Sequence, residues 1–203
     1  MLTANHSQAC AFLSQLDADL AQLIALVGTC TLASNDTQEP YEALMRAVAY
    51  QQLHPKAGDA ILAKFTAYFG AFPSPQEVIH APFDDLRACG FSGRKIVTLK
   101  GIAEGALSGL VPTRAEANTM TDEALIARLV KLKGIGQWTV KMLLMFTLGR
   151  MDIMPADDFG VQQGYKRLKS LDIAPKRKEM LEMSKVWSPY RSIASWYLWR
   201  VPK

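Results

Sequence analysis

Two stretches of helical periodicity are joined by Leu132-Lys133-Gly134-Ile135-Gly136-Gln137-Trp138-Thr139. Upstream, Thr121 and the two acidic residues after it form a typical helix start, and apolar residues then recur at helical spacing. Downstream, apolar residues crowd the segment 138–148, which is too long and too apolar for a surface strand. The sequence therefore predicts a helix, a glycine turn and a second, largely buried helix.

The turn contains two glycines, Gly134 and Gly136. Glycine permits a turn that is too tight for β-carbons, and backbone N–H groups then point outward at the positive N-terminal end of the second helix. Such a helix end binds phosphate well. Taken alone, a Gly-x-Gly pattern more often marks an ordinary corner between helices, so its meaning depends on the rest of the chain.

Three other segments occur with this turn in an order and spacing that belong to one protein family. They are Tyr50-Gln51-Gln52-Leu53-His54-Pro55-Lys56-Ala57, Gly90-Phe91-Ser92-Gly93-Arg94-Lys95 and Pro155-Ala156-Asp157-Asp158. Together with the turn they resemble the helix-hairpin-helix/Gly-Pro-Asp superfamily of DNA glycosylases, specifically its alkylpurine (3-methyladenine type II) branch. The resemblance extends from about Tyr41 to Trp199.

Helical patterns recur along the chain between turns marked by glycine and proline, whereas alternation of apolar and polar residues is scarce. The sequence therefore predicts an all-α protein. Helices are expected near residues 7–27, 41–52, 55–69, 75–80, 83–88, 94–107, 121–132, 138–148, 158–169, 175–183 and 188–199.

The resemblance implies a helix-hairpin-helix DNA glycosylase fold with two helical subdomains. A central helical barrel would comprise residues 40–150 and include the hairpin, and residues 1–39 would pack with residues 151–203 in the second subdomain. The active-site cleft would lie between the two subdomains.

The composition is that of a soluble globular protein, with 203 residues, 49% hydrophobic and 21% charged. No apolar run approaches the roughly 20 residues that span a bilayer. The N-terminus lacks a secretory pattern, so we expect a cytoplasmic protein without membrane contact, associated with the nucleoid if bacterial.

Basic residues give the chain a net charge of +4, which favours an acidic partner only weakly. Their placement is more informative than their number. Six basic residues flank the glycine turns, namely Arg94, Lys95, Lys100, Lys131, Lys133 and Lys141. Each of them could contact a phosphate or could be a solvated surface charge.

The three cysteines, Cys10, Cys30 and Cys89, are too few and too widely spaced for a disulfide framework or a four-cysteine metal site. We expect them to be reduced and structural. Some relatives in the superfamily carry an iron–sulfur cluster on four C-terminal cysteines, and the absence of cysteine after Cys89 excludes it. The prediction is that no cofactor or metal is required, although hairpins of this type often bind a monovalent cation through turn carbonyls.

The resemblance also assigns DNA-binding residues. Leu53 would fill the gap left by a flipped base, and His54 would contact phosphate or the opposite base. Taken alone, a leucine at this place is more typical of a core. The hairpin would contribute Lys133, Gly134, Ile135, Gly136, Gln137 and Thr139.

The resemblance assigns the base pocket to Trp138, Met142, Phe159 and Trp199. Without it, the aromatic residues of this set would be read as core anchors. An N3- or N7-alkylated purine is cationic, and aromatic faces attract it by cation–π interaction. Relatives can have tyrosine where this chain has Met142 and Phe159, so hydrogen bonding to the base and the exact lesion range stay open.

Two adjacent carboxylates, Asp157 and Asp158, compete for the catalytic role and for the role of helix cap. The superfamily pattern places the catalytic aspartate three residues before an aliphatic residue, and Asp158 and Val161 satisfy it. We therefore assign Asp158 to stabilising the positive charge that develops on the sugar, and Asp157 to capping the following helix.

In bifunctional members of the superfamily a lysine two positions after the second hairpin glycine attacks the sugar. This chain has Trp138 there, and Lys141 is nearly a helical turn further along. The prediction is a monofunctional, monomeric glycosylase that excises 3-methyladenine and 7-methylguanine from double-stranded DNA in base excision repair. The alternatives are the same fold acting on uracil, hypoxanthine or etheno-adducts, and a noncatalytic DNA-binding module.

Overall fold

A computed structural model describes the backbone of residues 2–202 and the side chains of residues 6–202. Every regular element in this described part is helical, which confirms the all-α prediction. Among its helices, none combines the length and apolar character needed to cross a bilayer. The elements are α1 (Leu2–Leu16), α2 (Ala18–Val27), α3 (Pro40–Tyr50), α4 (Pro55–Phe69), α5 (Pro75–His80), α6 (Phe83–Ala88), α7 (Gly93–Leu107), α8 (Arg114–Thr119), α9 (Asp122–Leu129), α10 (Gln137–Phe146), α11 (Phe159–Leu168), α12 (Arg177–Met183), a 3-10 helix (Ser184–Trp187) and α13 (Arg191–Leu198).

The chain divides into two compact units. The first unit contains Met1–Asn35 and Leu144–Lys203, and the second unit contains Asp36–Leu143. The division therefore falls before α3 and within α10, whereas the sequence analysis placed it at residues 40 and 150.

Side-chain caps begin several helices where the sequence supplies Ser or Thr. Thr121 starts α9 as predicted, because its Oγ1 accepts a hydrogen bond from Ala124 N at 3.2 Å. Thr113 and Glu116 form a reciprocal capping box at the start of α8. The sequence analysis missed α8, which has only six residues and buries only one of them.

The prediction of one continuous helix over residues 7–27 is wrong. Asp17 has extended backbone angles, and its Oδ1 accepts hydrogen bonds from Asp19 N at 2.9 Å and Leu20 N at 3.3 Å. This N-cap ends α1 and starts α2. Apolar periodicity runs across the break, so the pattern alone did not reveal it.

Two features hold α11 in place within the first unit, where it packs against α2 and α13. Gly164 permits the close approach of α13, because a β-carbon at this position would overlap the carbonyl of Leu198. Beyond the C-terminal end of α11, Lys169 Nζ lies 2.6 Å from a carboxylate oxygen of Asp17 and 2.6 Å from one of Asp19. Burial lowers the pKa of Lys169, but its hydrogen bonds to the two carboxylates outweigh this effect and raise the pKa.

In the second unit α7 packs against α3, α5 and α6. Lys100 Nζ donates hydrogen bonds to the carbonyls of Ile79 at 3.0 Å and Ala81 at 2.8 Å, at the end of α5. Lys95 Nζ donates to the Ala49 carbonyl at 3.0 Å, near the end of α3. These two lysines therefore join helices of the second unit and are not solvated surface charges.

The three cysteine thiols are free, and those of Cys30 and Cys89 are buried. Burial raises the pKa of Cys30 to about 11 and also raises that of Cys89. Both thiols are therefore protonated at neutral pH, as structural cysteines are.

Candidate active site

The hairpin between α9 and α10 is closed by a hydrogen bond from Ile135 N to the Leu132 carbonyl at 3.1 Å. Gly134 has a φ of 86°, and a β-carbon there would overlap the Thr98 side chain. A β-carbon on Gly136 would meet no heavy atom of the described residues within 4 Å. The turn thus requires glycine at its first position, whereas the second is sterically open in the DNA-free protein.

The hairpin residues predicted to bind DNA divide into two groups. Lys133, Gly134, Gly136 and Gln137 are exposed. The side chains of Ile135 and Thr139 are only 4% and 5% exposed. These two buried residues can reach a phosphate only through their backbone atoms.

The turn between α3 and α4 presents Leu53 to solvent, with 41% of its surface exposed. Gln52 adopts a left-handed conformation with φ 56°, and Leu53 N donates to the Tyr50 carbonyl at 3.1 Å. His54 is also exposed, and its Nδ1 accepts a hydrogen bond from Lys56 N at 3.3 Å, which caps α4. The alternative of a core leucine at this position is therefore wrong.

Contacts that the sequence analysis missed hold this turn. Gln51 Nε2 donates to the Gly134 carbonyl at 3.2 Å, which joins the turn to the hairpin. Tyr50 OH donates to Asp59 Oδ1 at 2.6 Å, and a β-carbon on Gly58 would overlap the Tyr50 ring. Gly58, in the first turn of α4, was the available sequence signal, because glycine inside a helix often marks a close approach.

The second unit contains a cavity of about 650 Å³ beside the hairpin. Trp138 and Met142, two of the predicted base-pocket residues, line it together with Thr98, Tyr50, Arg94 and Lys95. Trp138 is 44% exposed, whereas most of α10 is buried as predicted. Burial lowers the pKa of Lys95.

In the first unit, Asp158 precedes the first residue of α11 and caps this helix. Its Oδ1 accepts hydrogen bonds from Val161 N at 2.8 Å and from Trp199 Nε1 at 2.8 Å. The prediction that Asp157 is the cap is wrong, because the residue immediately before a helix is the one whose side chain reaches its first N–H groups. Asp157 instead lies 3.9 Å from Arg177 Nε in an exposed ion pair.

Trp199 is held on several sides within the first unit. Its ring stacks on Phe146 with centroids 6.0 Å apart and an interplanar angle of 27°. A β-carbon on Gly160 would lie 2.9 Å from Trp199 Cδ1 and 3.2 Å from its Nε1. Phe159, the other predicted pocket residue of this unit, is 75% exposed. The roles of Phe146 and Gly160 carried no separate signal in the sequence.

Lys141 is only 7% exposed, although it was a candidate for phosphate contact. Lys131 and Lys133 are exposed. Of the three lysines that flank the hairpin in sequence, the two that are exposed lie on its α9 side.

Comparison with known proteins relates this chain to a single family. The model of the HhH-GPD superfamily base excision DNA repair proteins matches residues 45–189. DNA-3-methyladenine glycosylase 1 of Schizosaccharomyces pombe is 48% identical over 194 residues, which cover 94% of this chain and 85% of that protein. The alkylbase DNA glycosidase-like protein mag2 of the same yeast is 36% identical over 203 residues, covering 98% and 95%.

A solved structure shows the same fold. The S. pombe 3-methyladenine DNA glycosylase in complex with abasic DNA superposes with a TM-score of 0.87. Its sequence is 47% identical, and the match covers 95% of each chain.

Proposed function

The chain belongs to the HhH-GPD superfamily of base excision DNA repair proteins, and we propose that it is a monofunctional DNA glycosylase acting on alkylated purines. The proposal rests on Asp158, whose carboxylate is oriented by a backbone N–H and an indole N–H at the start of α11. The position matches the aspartate of the superfamily pattern. The 48% identity to a DNA-3-methyladenine glycosylase supports alkylated purines as the substrate.

The substrate in this proposal is duplex DNA, in which a base is out of reach until its nucleotide is extruded. The exposed side chain of Leu53 would occupy the gap that the base leaves. The backbone N–H groups at the start of α10 would hold the phosphate backbone. The protein would act as a monomer and without a required cofactor. If a monovalent cation binds the hairpin, it has to share the Gly134 carbonyl with Gln51 or use other turn carbonyls.

The reaction is hydrolysis of the glycosidic bond. The C1′–N bond breaks with both electrons leaving on the base, which neutralises the charge of the alkylated purine. Positive charge develops on the deoxyribose as this bond breaks, and Asp158 would stabilise that charge. Water then adds to C1′ and loses a proton, which leaves an abasic site.

The cavity beside the hairpin supports a cationic aromatic substrate. The exposed face of Trp138 would attract an alkylpurine cation, an interaction of about 1–2 kcal/mol when desolvated. Met142 contributes a polarisable thioether and no hydroxyl. Selection at Met142 would therefore depend on contact with its thioether rather than on a hydrogen bond from a hydroxyl.

The proposal excludes strand cleavage through a Schiff base. Trp138 occupies the position at which bifunctional relatives carry lysine, and it has no amine. Lys141 is buried, with only 7% of its surface exposed. An attack on the sugar would require an exposed, deprotonated amine.

The direct test is base release from duplex DNA that contains 7-methylguanine and 3-methyladenine, measured before any alkali treatment. We expect free bases and intact strands. Strand breakage before alkali would indicate a bifunctional enzyme. Release only of uracil, hypoxanthine or etheno-adducts would indicate another lesion class, and DNA binding without release would indicate a noncatalytic module.

Leu53→Ala is expected to reduce base flipping without unfolding the protein. Removing a leucine side chain from an apolar contact costs about 1.5–3 kcal/mol of burial energy. We therefore expect the population of the flipped state to fall about tenfold or more. In the DNA-free protein the side chain is largely exposed, so the melting temperature should not change. Fluorescence of 2-aminopurine placed beside the lesion reports flipping, and an unchanged signal would contradict the wedge role.

The pair Gly134→Ala and Gly136→Ala separates the two functions of glycine in the hairpin. Alanine at position 134 would meet Thr98 in a left-handed conformation, and we expect a loss of about 2 kcal/mol of folding stability. Alanine at position 136 should leave stability unchanged and weaken DNA affinity several-fold, because its methyl group would stand between backbone and phosphate. Denaturant unfolding and fluorescence anisotropy with DNA measure the two effects. Full DNA affinity of Gly136→Ala would show that no phosphate approaches there.

A further inference from the structure

The indole of Trp199 contacts Asp158 through the edge of its ring. The sequence analysis assigned Trp199 to the base pocket for its aromatic face. In the structure its Nε1–H donates to Asp158 Oδ1 at 2.8 Å, and the ring packs on Phe146. Phenylalanine lacks the N–H group and has a smaller ring, but it keeps an aromatic face, so the role of the N–H group can be tested apart from stacking.

We propose that Trp199 is a positioning residue that orients the Asp158 carboxylate for the excision reaction. The inference rests on the proposed function, since it gives Trp199 a task only if Asp158 faces the sugar. Trp199 acts through Asp158, and its contribution does not require contact between its ring and the base.

Two donors meet on one oxygen of Asp158. Val161 N and Trp199 Nε1 each lie 2.8 Å from Oδ1, one donor on α11 and the other directly after α13. A single hydrogen bond to the helix backbone would leave the carboxyl group free to rotate about that contact. The second donor comes from another element, so it fixes the direction in which Oδ2 is presented.

The indole N–H of Trp199 is itself held in a fixed position. The Trp199 ring stacks on Phe146, and α13 before it is buried from Ser192 to Leu198. Gly160 leaves room for the indole, because any β-carbon there would press on Cδ1 and Nε1. Gly164 brings α13 against α11 one turn further along. The donor is therefore held in place before DNA binds, as orienting groups in catalytic sites are.

Trp199→Phe removes the N–H and keeps an aromatic ring for stacking. Hydrogen bonds to charged groups are among the stronger ones in proteins, and we expect the single-turnover rate of 7-methylguanine release to fall about tenfold. Affinity for duplex DNA with a stable abasic-site analogue should stay within about twofold, since the loss affects the chemical step. Trp199→Ala should lose about as much rate as Trp199→Phe.

The opposite pattern would overturn the inference. If Trp199 serves only as a stacking face, Trp199→Phe should release base at the wild-type rate and Trp199→Ala alone should be slow. A large loss of DNA affinity in Trp199→Phe would also overturn it.

Gly160→Ala is a second variant that tests the hydrogen bond between Trp199 and Asp158. It leaves both Asp158 and Trp199 chemically intact, but its β-carbon would lie 2.9 Å from Trp199 Cδ1 and 3.1 Å from Asp158 Oδ1 and so disturb the hydrogen bond from both sides. We expect a rate loss similar to that of Trp199→Phe, and circular dichroism checks that each variant is folded. If Trp199→Phe does not fold, a wild-type rate in Gly160→Ala would still overturn the positioning role.

An NMR measurement separates this inference from the proposed function. The chain has four tryptophans, and the indole N–H peak that is missing in Trp199→Phe identifies Trp199. Asp158→Asn should shift this peak, because a charged acceptor becomes neutral, and Asp157→Asn should leave it in place. An active wild type with an unshifted peak would overturn the inference alone. A wild type that releases no alkylated purine would overturn the proposed function, and the inference with it.

Discussion

Asp158→Asn is expected to abolish release of alkylated purines while DNA affinity is retained. The amide oxygen of asparagine can still accept the hydrogen bonds from Val161 N and Trp199 Nε1, so the start of α11 should keep its structure. The variant lacks the negative charge that would stabilise the sugar cation. Loss of one such electrostatic group typically costs a factor of about 100 to 1000, and single-turnover base release measures it.

Asp157→Asn is the matched control, because it makes the same chemical change one residue earlier. The ion pair between Asp157 and Arg177 is long, at 3.9 Å, and exposed, and exposed pairs contribute about 0–1 kcal/mol. We expect base release within about twofold of wild type. If Asp157→Asn were inactive and Asp158→Asn active, the assignment of the two carboxylates would be reversed.

Gly164→Ala is expected to produce the largest loss of stability among single-methyl substitutions in the first unit. The added β-carbon would overlap the Leu198 carbonyl, which is backbone and has no rotamer to change. Helices α11 and α13 would have to separate, and overpacking of this kind costs about 3 kcal/mol. For a protein of this size that corresponds to a fall in melting temperature of about 6–12 °C, which calorimetry or thermal circular dichroism measures.

Gly101→Ala is the control for helix propensity. Gly101 lies inside α7, and a β-carbon there would meet no heavy atom within 4 Å in the part of the chain that the structure describes. Alanine should therefore stabilise the protein by about 0.5–1 kcal/mol. If Gly101→Ala and Gly164→Ala destabilised the protein equally, the close approach of Gly164 to Leu198 would not be the cause of the lost stability.

The structural features that involve residues close in sequence could be predicted from residue type and spacing. Capping by Thr121 and the apolar run after Trp138 predicted α9 and α10, and both helices are present. The helix break between Tyr50 and Pro55 was predicted from proline, and it leaves Leu53 exposed. These features involve residues close in sequence, where spacing and residue type carry the information.

The wrong predictions concern residues whose local sequence fits more than one role. Asp157 and Asp158 are both good cap residues, and only the first helical residue of α11, Phe159, decides between them. In the same way, apolar periodicity continued through Asp17, whose side chain ends one helix and starts the next. Lys95 and Lys100 looked like surface charges because their carbonyl partners are far away in the sequence.

The sequence by itself determined the all-α class, the glycine hairpin, the helix break before Pro55 and the family, because caps, periodicity and ordered motifs are encoded over short distances. The tertiary structure alone decided what surrounds each chemical group. It joined Gln51 to the Gly134 carbonyl, turned Lys95 inward and brought the Trp199 indole to Asp158, 41 residues away along the chain. Such contacts depend on how helices pack, and packing is set by side-chain shapes that meet only after the chain has folded.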